Sequence, residues 1–469
     1  MPPLSFDRNA PCERPSAISR LGALALASVL ASCASYPDRY QGALDDLRGG
    51  RFSEAASAFE DKAGGFLGAA EAGTIRFAAG DWETAERDLL RAAELADGFD
   101  AEAPITAGGV TEDLGSLLVN ESVRTYEGEG FERVQVHGML ALTFLAQGKL
   151  EDALVEARRA NQRLEREEKL YETDYEAGGL GHFVSALCYE LRGELGDTLI
   201  DYQRMDEKGL APSLVGPELG RVAAVLRRED VLAELEPRFG PAPVVPEGSA
   251  RVVLIAGVGL VPFKSEDSLK LVTPAGVVAW AIPKYVERPQ PVSSVELVIV
   301  DHGQTVRSTV IEDVGAVAER NLSDRIAILA TRSGARAASR TVLAKQLRDS
   351  DKQLAALAVD IFSLATENAD RRSWLTLPNT WQVAQAFVPA GPLTLAVDAL
   401  GGLSIDFEPI VVSAGETVIV LARTVDRSLF AHIVGGGQPL VEAAPPQEPD
   451  PAPSPEGDPS AASTDEPFI

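Results

Sequence analysis

The sequence has few of the residues on which metal, disulfide and histidine chemistry depend. It contains 3 cysteines and 4 histidines in 469 residues, and no histidine stands in H-x-x-x-H or H-E-x-x-H spacing. It has no G-x-x-x-x-G-K-[ST] phosphate loop and no G-x-S-x-G nucleophile turn. Basic residues are scarce as well, with 43 Lys and Arg against 70 Asp and Glu and a net charge of −27. The sequence therefore predicts no nucleic-acid partner, no metal, no cofactor and no enzyme activity.

The first 32 residues have the features of an export signal. Leu21 to Leu30 is an unbroken run of apolar and small residues preceded by arginines, and at ~1.5 Å per residue it is too short to cross a bilayer. The run ends in Leu30-Ala31-Ser32-Cys33, which resembles the lipobox of bacterial lipoproteins. This resemblance implies cleavage before Cys33 and a lipid on its sulfur. Because Ala34 is not an aspartate, the resemblance also implies an outer-membrane anchor facing the periplasm. The alternative is a cleaved secretory signal with an incidental cysteine.

Residues 33–237 predict a region of helical repeats. Gly80-Asp81-Trp82-Glu83-Thr84-Ala85 resembles the turn and the start of the second helix of a tetratricopeptide repeat (TPR), and weaker copies begin at Gly50, Gly148 and Gly193. Glycine supplies the positive φ that ends a helix, and alanine lets two helices approach closely. We therefore expect a short TPR-like α-solenoid, although unrelated helical hairpins with a common turn would give the same pattern. Its expected turn and packing residues are Gly80, Trp82, Ala85, Gly148 and Ala153.

A second resemblance covers residues 120–164. An acidic Tyr-Glu-Gly-Glu loop that starts at Tyr126, a helix rich in Leu and Ala, and a helix with the sequence EARRA are similar to the core of a bacterial lipoprotein family. This family consists of poorly characterised large outer-membrane lipoproteins with TPR-like helices. Ser373-Trp374-Leu375-Thr376-Leu377-Pro378-Asn379 resembles a Trp-x-x-Leu-Pro segment of the same family. The resemblance implies no established activity and associates the chain with the cell envelope.

The rest of the chain predicts a linker, a second domain and a tail. Residues 238–250 are rich in Pro and Gly, which favours an extended linker. Residues 251–435 show strand-like runs, then helical patterns, then strands again, which predicts a mixed α+β domain with a mainly antiparallel sheet. Residues 436–469 are acidic and Pro-rich without a base, which predicts a disordered tail. The expected fold class is therefore α+β and multi-domain, with the helical repeats first.

Two groups of arginines are unusual in so acidic a chain. Their members are Arg158, Arg159 and Arg163 in the helical region, and Arg332, Arg336 and Arg340 in the second domain. At helical spacing such residues lie on one face of a helix, where they either pair with acids of this chain or bind a partner's carboxylates. Trp374 either closes a sheet edge or joins a binding surface.

These features predict a lipid-anchored periplasmic scaffold or adaptor. It would bind envelope proteins through a TPR-like groove, in the assembly of the cell envelope. The alternative is an envelope enzyme or a peptidoglycan- or other polysaccharide-binding protein that uses the second domain, around Asp301, His302 and Trp374.

Overall fold

The computed structural model describes residues 35–106, 125–171, 173–273, 276–324 and 370–439. The signal segment, the lipidation residue Cys33, the arginines Arg332, Arg336 and Arg340, and the tail beyond Pro439 lie outside the described residues. Among the described residues, no helix is long and apolar enough to cross a membrane.

The first half of the described chain is helical. A further helix, in the second half, covers residues 314–324 of the described part. The helices with defined bounds are α1 (Tyr36–Arg39), α2 (Gln41–Arg48), α3 (Phe52–Lys62), α4 (Gly65–Ala79), α5 (Trp82–Thr106), α6 (Gly130–Ala146), α7 (Leu150–Tyr171), α8 (Gly179–Leu191), α9 (Leu195–Glu207), α10 (Pro212–Val225) and α11 (Glu229–Phe239).

Helices α2 to α11 form consecutive pairs joined by short turns, each with a residue in the left-handed region. Gly50, Gly80, Gly148 and Gly193 have φ angles of 71°, 76°, 70° and 77°, so the four predicted turn glycines have the positive φ expected of them. The turn between α10 and α11 has no glycine and uses Arg227, with a φ of 56°. Short turns of this kind place the two helices of each pair side by side.

The second half forms several sheets, and the chain is therefore α+β, as expected. Its strands are β1 (Ser249–Val258), β2 (Phe263–Thr273), β3 (Gly276–Val286), β4 (Val295–Ile299), β5 (Gln304–Arg307), β6 (Thr309–Asp313), β7 (Thr380–Pro389), β8 (Gly391–Leu393), β9 (Leu395–Ala399), β10 (Ser404–Asp406), β11 (Ile410–Val412), β12 (Thr417–Val425), β13 (Ser428–Gly435) and β14 (Gln438–Pro439).

The main sheet has five strands in the order β13-β12-β1-β7-β6. β1 and β12 are parallel, and the other neighbours are antiparallel. A second sheet has the order β10-β9-β4-β5, a small third sheet has the order β14-β11-β8, and β2 and β3 form a long hairpin. The pairing of β14 with β11 extends the described fold to Pro439, a few residues beyond the expected domain end at 435.

The main sheet is buried on both faces. Val253 and Ile255 of β1 belong to the core that the sheet shares with the helices. Their neighbours Val252 and Leu254 point the other way, into a second core between the main sheet and the β4–β9 sheet. Burial on both faces explains why β1 is a continuous apolar run rather than an alternating one. The helical and sheet regions, which the sequence predicts as two domains, share one hydrophobic core.

The first helices of four pairs, α4, α6, α8 and α10, face the sheet. α4 and α6 contact β13, and α8 contacts β6. α10 reaches β1, where Arg251 forms an ion pair with Glu218 at 3.1 Å. The inner face of the helical layer is thus covered by the sheet, and the second helices α5, α7, α9 and α11 form the outer layer.

Candidate functional site

Helix α7 carries three of the arginines that the sequence singles out, and the structure gives them different roles. Arg159 pairs with the buried Glu156 at 2.6 Å. Arg163 donates from Nε to Nε2 of His137 at 3.0 Å, and Nδ1 of His137 lies 2.6 Å from Glu156 Oε2. Because Nε2 accepts this hydrogen bond, the imidazole proton is on Nδ1 and is donated to Glu156. Arg159 and Arg163 therefore belong to an internal network.

Arg158 is exposed and has no ion pair among the described residues. It lines a crevice of about 200 Å³ that opens between the outer helices α7 and α9, with α8 beneath them. Ile200 of α9 lines the same crevice and is 53% exposed, and Val155, one turn from Arg158 on α7, is 47% exposed. The exposed carboxylates Glu165 and Asp197 line the same crevice. A segment that fits it therefore carries a carboxylate for Arg158, a basic group for these acids and an apolar side chain for Ile200.

The floor of this crevice is polar and internally bonded. Asp201 accepts hydrogen bonds from Ser185 Oγ at 2.6 Å and from His182 Nδ1 at 2.8 Å. Both oxygens of Asp201 are therefore engaged, which leaves this carboxylate poorly placed to neutralise Arg158. Ser185 donates to the aspartate rather than to the imidazole, so this trio does not have the hydrogen bond that activates a serine nucleophile.

Trp374 is not part of a binding surface, contrary to the prediction that placed it there. Its side chain is 0% exposed, and its Nε1 donates to Thr74 Oγ1 at 3.0 Å. Its backbone N–H donates to Glu132 Oε1 at 2.7 Å. It does not close a sheet edge either. It lies in the irregular segment before β7, and its side chain packs against helices α4 and α6.

The residues after Trp374 are held by Glu71, which lies on α4 and is fully buried. Its carboxylate accepts hydrogen bonds from the Leu375 N–H at 2.6 Å, the Thr376 N–H at 2.9 Å and Thr376 Oγ1 at 2.6 Å. Burial raises the pKa of Glu71 to about 8, against the opposing effect of these hydrogen bonds. A carboxyl group of the helical layer thus binds the backbone of the predicted Trp-x-x-Leu-Pro segment.

Two further inner side chains extend this contact along the layer. Glu132 on α6 accepts from Tyr126 Oη at 2.6 Å as well as from Trp374, and burial raises its pKa. Gln135, one turn along, accepts from Trp381 Nε1 at 2.8 Å and donates to Glu312 at 2.7 Å. The expected partner groove is therefore filled by the chain's own segment 373–381 and by the sheet, and is not an open surface.

The acid–base pair considered for the second domain lies in the turn between β4 and β5. Asp301 accepts a hydrogen bond from the Thr394 N–H and another from Thr394 Oγ1 at 3.3 Å, and His302 is exposed. The turn belongs to the second sheet, whereas Trp374 lies between the helices and the main sheet, so the structure does not bring these residues together. Among the described residues, no group of three His, Cys, Asp or Glu side chains is placed to hold a metal ion.

The predicted turn and packing residues lie where the helices meet. Ala85 and Ala153 are 0% exposed. The ring of Trp82 packs edge-on against His432 of β13, with centroids 5.4 Å apart, and His432 also lies against Gly80. Cys188 is buried, and burial raises the pKa of its thiol to about 12, which suits a packing residue rather than a nucleophile.

Sequence reasoning missed two buried charged residues that organise this interface: Glu71 and Arg423. Arg423 is 1% exposed and donates to the Gly259 carbonyl at 2.6 Å and the Thr376 carbonyl at 2.9 Å. Burial lowers its pKa to about 9. The signal that could have revealed Glu71 and Arg423 is a single charge inside an otherwise apolar run, as in FLGAAEAGTI and VIVLARTV.

No protein-family model, curated protein or solved structure matches this chain.

Proposed function

We propose that the protein is a lipid-anchored adaptor on the periplasmic face of the bacterial outer membrane. Its helical layer would be a TPR-like solenoid, and the chain would belong to the lipoprotein family that its sequence resembles. The consecutive helical pairs with a left-handed turn residue support the solenoid assignment. The lipid would be attached at Cys33.

The start of the described fold supports an anchor close to the protein body. Ser35 caps α1, with its N–H donating to Asp38 Oδ2 at 3.1 Å, and Tyr40 is buried in the core beneath α2. Two residues separate Cys33 from Tyr36, a reach of only ~10 Å between their Cα atoms. A lipid at Cys33 would therefore hold the helical layer next to the membrane surface.

The partner would bind on the outside of the helical layer. The observation that carries this proposal is Arg158, exposed and without an ion pair among the described residues, beside the exposed Ile200 in the α7–α9 crevice. Such a crevice suits an amphipathic segment of an envelope protein, with a carboxylate against Arg158 and an apolar side chain against Ile200. The inner face, where such segments bind in an open solenoid, is covered by the sheet.

The proposal is tested by crosslinking and affinity capture of the full-length lipidated protein from cell envelopes. Arg158→Glu should abolish capture of a specific protein partner. Arg427→Glu is the matched control, because Arg427 is also exposed but lies on the β12–β13 turn, away from the outer helices. Equal capture by both variants would contradict the assignment to this crevice. Recovery of glycan without protein would favour the polysaccharide-binding alternative.

A further inference from the structure

A second concave site lies at the end of the helical layer. A cavity of about 330 Å³ opens there between α10, α11 and the first residues of the linker, 240–243. Most of its lining is apolar and includes Pro217 of α10, Leu232 and Phe239 of α11, and Pro241 and Pro243 of the linker. The cavity is separate from the α7–α9 crevice, and it plays no part in the proposed adaptor function.

Glycines of α10 allow the walls of this cavity to form. A Cβ atom at Gly216 would overlap the Phe239 ring, and a Cβ atom at Gly220 would lie 3.3 Å from the Cα atom of Ala242. The end of α11 and the start of the linker therefore rest on the backbone of α10. The cavity is thus bounded by packed elements of the fold.

Two carboxylates give the cavity a negative charge. Glu229, in the first turn of α11, and Glu236, two turns further along, both line it and are exposed. Neither side chain forms an ion pair or a hydrogen bond within the part of the chain that the structure describes. Helix α11 ends at Phe239, in the lining, and the partial negative charge of its C-terminus adds to that of Glu236. The cavity therefore attracts a cation.

The arginines nearest to these carboxylates along the chain do not neutralise them. Arg228 pairs with Asp230 at 2.6 Å. Arg238 pairs with Asp206 at 2.7 Å, and its guanidinium lies over the Phe239 ring, 4.6 Å from the centroid. Arg227 lies in the turn before α11 and is not part of the lining. Within the described residues, the charge of Glu229 and Glu236 is thus left for a partner.

The shape of the site fits a peptide segment better than a small molecule. Its lining residues on α11 recur every three or four positions from Glu229 to Phe239, so the groove follows one face of the helix for ~15 Å. A peptide in the polyproline II conformation covers this length with about five residues. Val244 and Val245, which directly follow the lining residue Pro243, are 91% and 37% exposed. A small molecule in the cavity would leave these valines in water, whereas a peptide can cover them.

We propose that this groove binds an extended segment of a partner protein in which two basic residues, three positions apart, enclose apolar residues. Glu229 and Glu236 are seven residues apart on α11, or ~10 Å along its axis. Residues three apart in a polyproline II segment lie on the same side at a spacing of ~9 Å, so each base meets one carboxylate. The apolar residues between them lie against Leu232 and the prolines of the lining. An acidic segment, such as the tail of this chain, meets two like charges and is repelled.

The experiment is a selection from a random nonapeptide display library on the full-length protein in detergent. Peptides that also bind the double variant Glu229→Gln, Glu236→Gln are removed. The retained peptides should carry Lys or Arg three positions apart with apolar residues between them. In isothermal titration of one such synthetic peptide, the double variant should weaken binding by at least ~5-fold. Glu234→Gln, at an exposed glutamate of α11 outside the lining, should leave binding unchanged.

Changes in the peptide test the apolar contact without any effect on the fold of the protein. Glycine in place of the residues between the two bases should weaken binding by at least ~10-fold. Unchanged affinity of the glycine peptide would overturn the proposal, as would a selection that retains no peptide or retains acidic ones. Equal weakening by Glu234→Gln, or binding of ethylamine as tight as that of the peptide, would overturn it as well.

Discussion

Replacing Glu71 by alanine should weaken the contact between the helical layer and the segment that precedes β7. The carboxylate accepts three hydrogen bonds, two from the backbone of Leu375 and Thr376 and one from the Thr376 hydroxyl, and its side chain is 0% exposed. Alanine leaves all three donors buried without an acceptor. At about 1–3 kcal/mol for each stranded donor, the free energy of unfolding should fall by roughly 3–6 kcal/mol, since part of the cost is relieved when water enters the site.

The measurement is urea unfolding of the purified chain, followed by circular dichroism and analysed by linear extrapolation. Glu54→Ala on α3 is the matched control, because Glu54 is an exposed glutamate in a helix of the same layer. The control should lower the free energy of unfolding by at most about 1 kcal/mol, because, among the described residues, Glu54 stabilises the fold only through its place in the first turn of α3. A loss for Glu71→Ala as small as that of the control would refute the inference that this carboxylate holds the segment after Trp374.

Three further results are expected. Because burial raises the pKa of Glu71 to about 8 from 4.5, the folded chain keeps a proton that the unfolded chain releases. The contribution of this group to the free energy of unfolding should fall by about 1.4 kcal/mol per unit as pH rises between those values, and Glu71→Gln should lose that slope in urea titrations. Gly80→Ala should lower the free energy of unfolding by roughly 1–2 kcal/mol more than Gly148→Ala in the same assay. Both glycines have a positive φ, but only at Gly80 does an added methyl meet His432. Equal losses would contradict this expectation. Cys33→Ala should move the protein from the membrane fraction to the soluble fraction, and continued lipid labelling would disprove the anchor.

The helical turns could be predicted from the sequence because their signal is local. Four of them have a glycine where the backbone needs a positive φ, and a glycine is visible in a sequence. The fifth turn was missed because Arg227 adopts the left-handed conformation without being a glycine. A non-glycine residue at such a φ is uncommon, and nothing in Leu226-Arg227-Arg228 marks it.

The strands were predictable as runs, but their neighbours were not. Residues 251–256 and 417–423 are strand-like apolar runs in the sequence, and they lie within β1 and β12. Their parallel pairing joins residues more than 160 positions apart, as in Arg251 with Thr417. A run of apolar residues indicates that a strand is buried. A strand that is buried on both faces shows no alternation of polar and apolar residues, so the sequence does not reveal which strands pair with it.

The candidate site was predicted only in part, because exposure depends on tertiary packing. Arg158, Arg159 and Arg163 look alike in the sequence, yet only Arg158 is exposed without an ion pair among the described residues. Arg159 pairs with Glu156 on the same helix, whereas Arg163 contacts His137 on the neighbouring helix α6, which the sequence does not reveal. For Trp374, a tryptophan beside polar residues fits a surface and an interior equally well until the packing is known.

The inner helices explain why the proposed partner surface is on the outside. In an open solenoid, polar side chains on the first helices bind the backbone of a peptide partner. In this chain Glu71, Glu132 and Gln135 lie on the first helices of their pairs, and they bind residues 373–381 of the same chain. A partner that used this groove would have to displace these buried hydrogen bonds, each worth about 0.5–1.5 kcal/mol. The outer crevice at Arg158 requires no such displacement, and therefore a partner can bind there without unfolding the contact between helices and sheet.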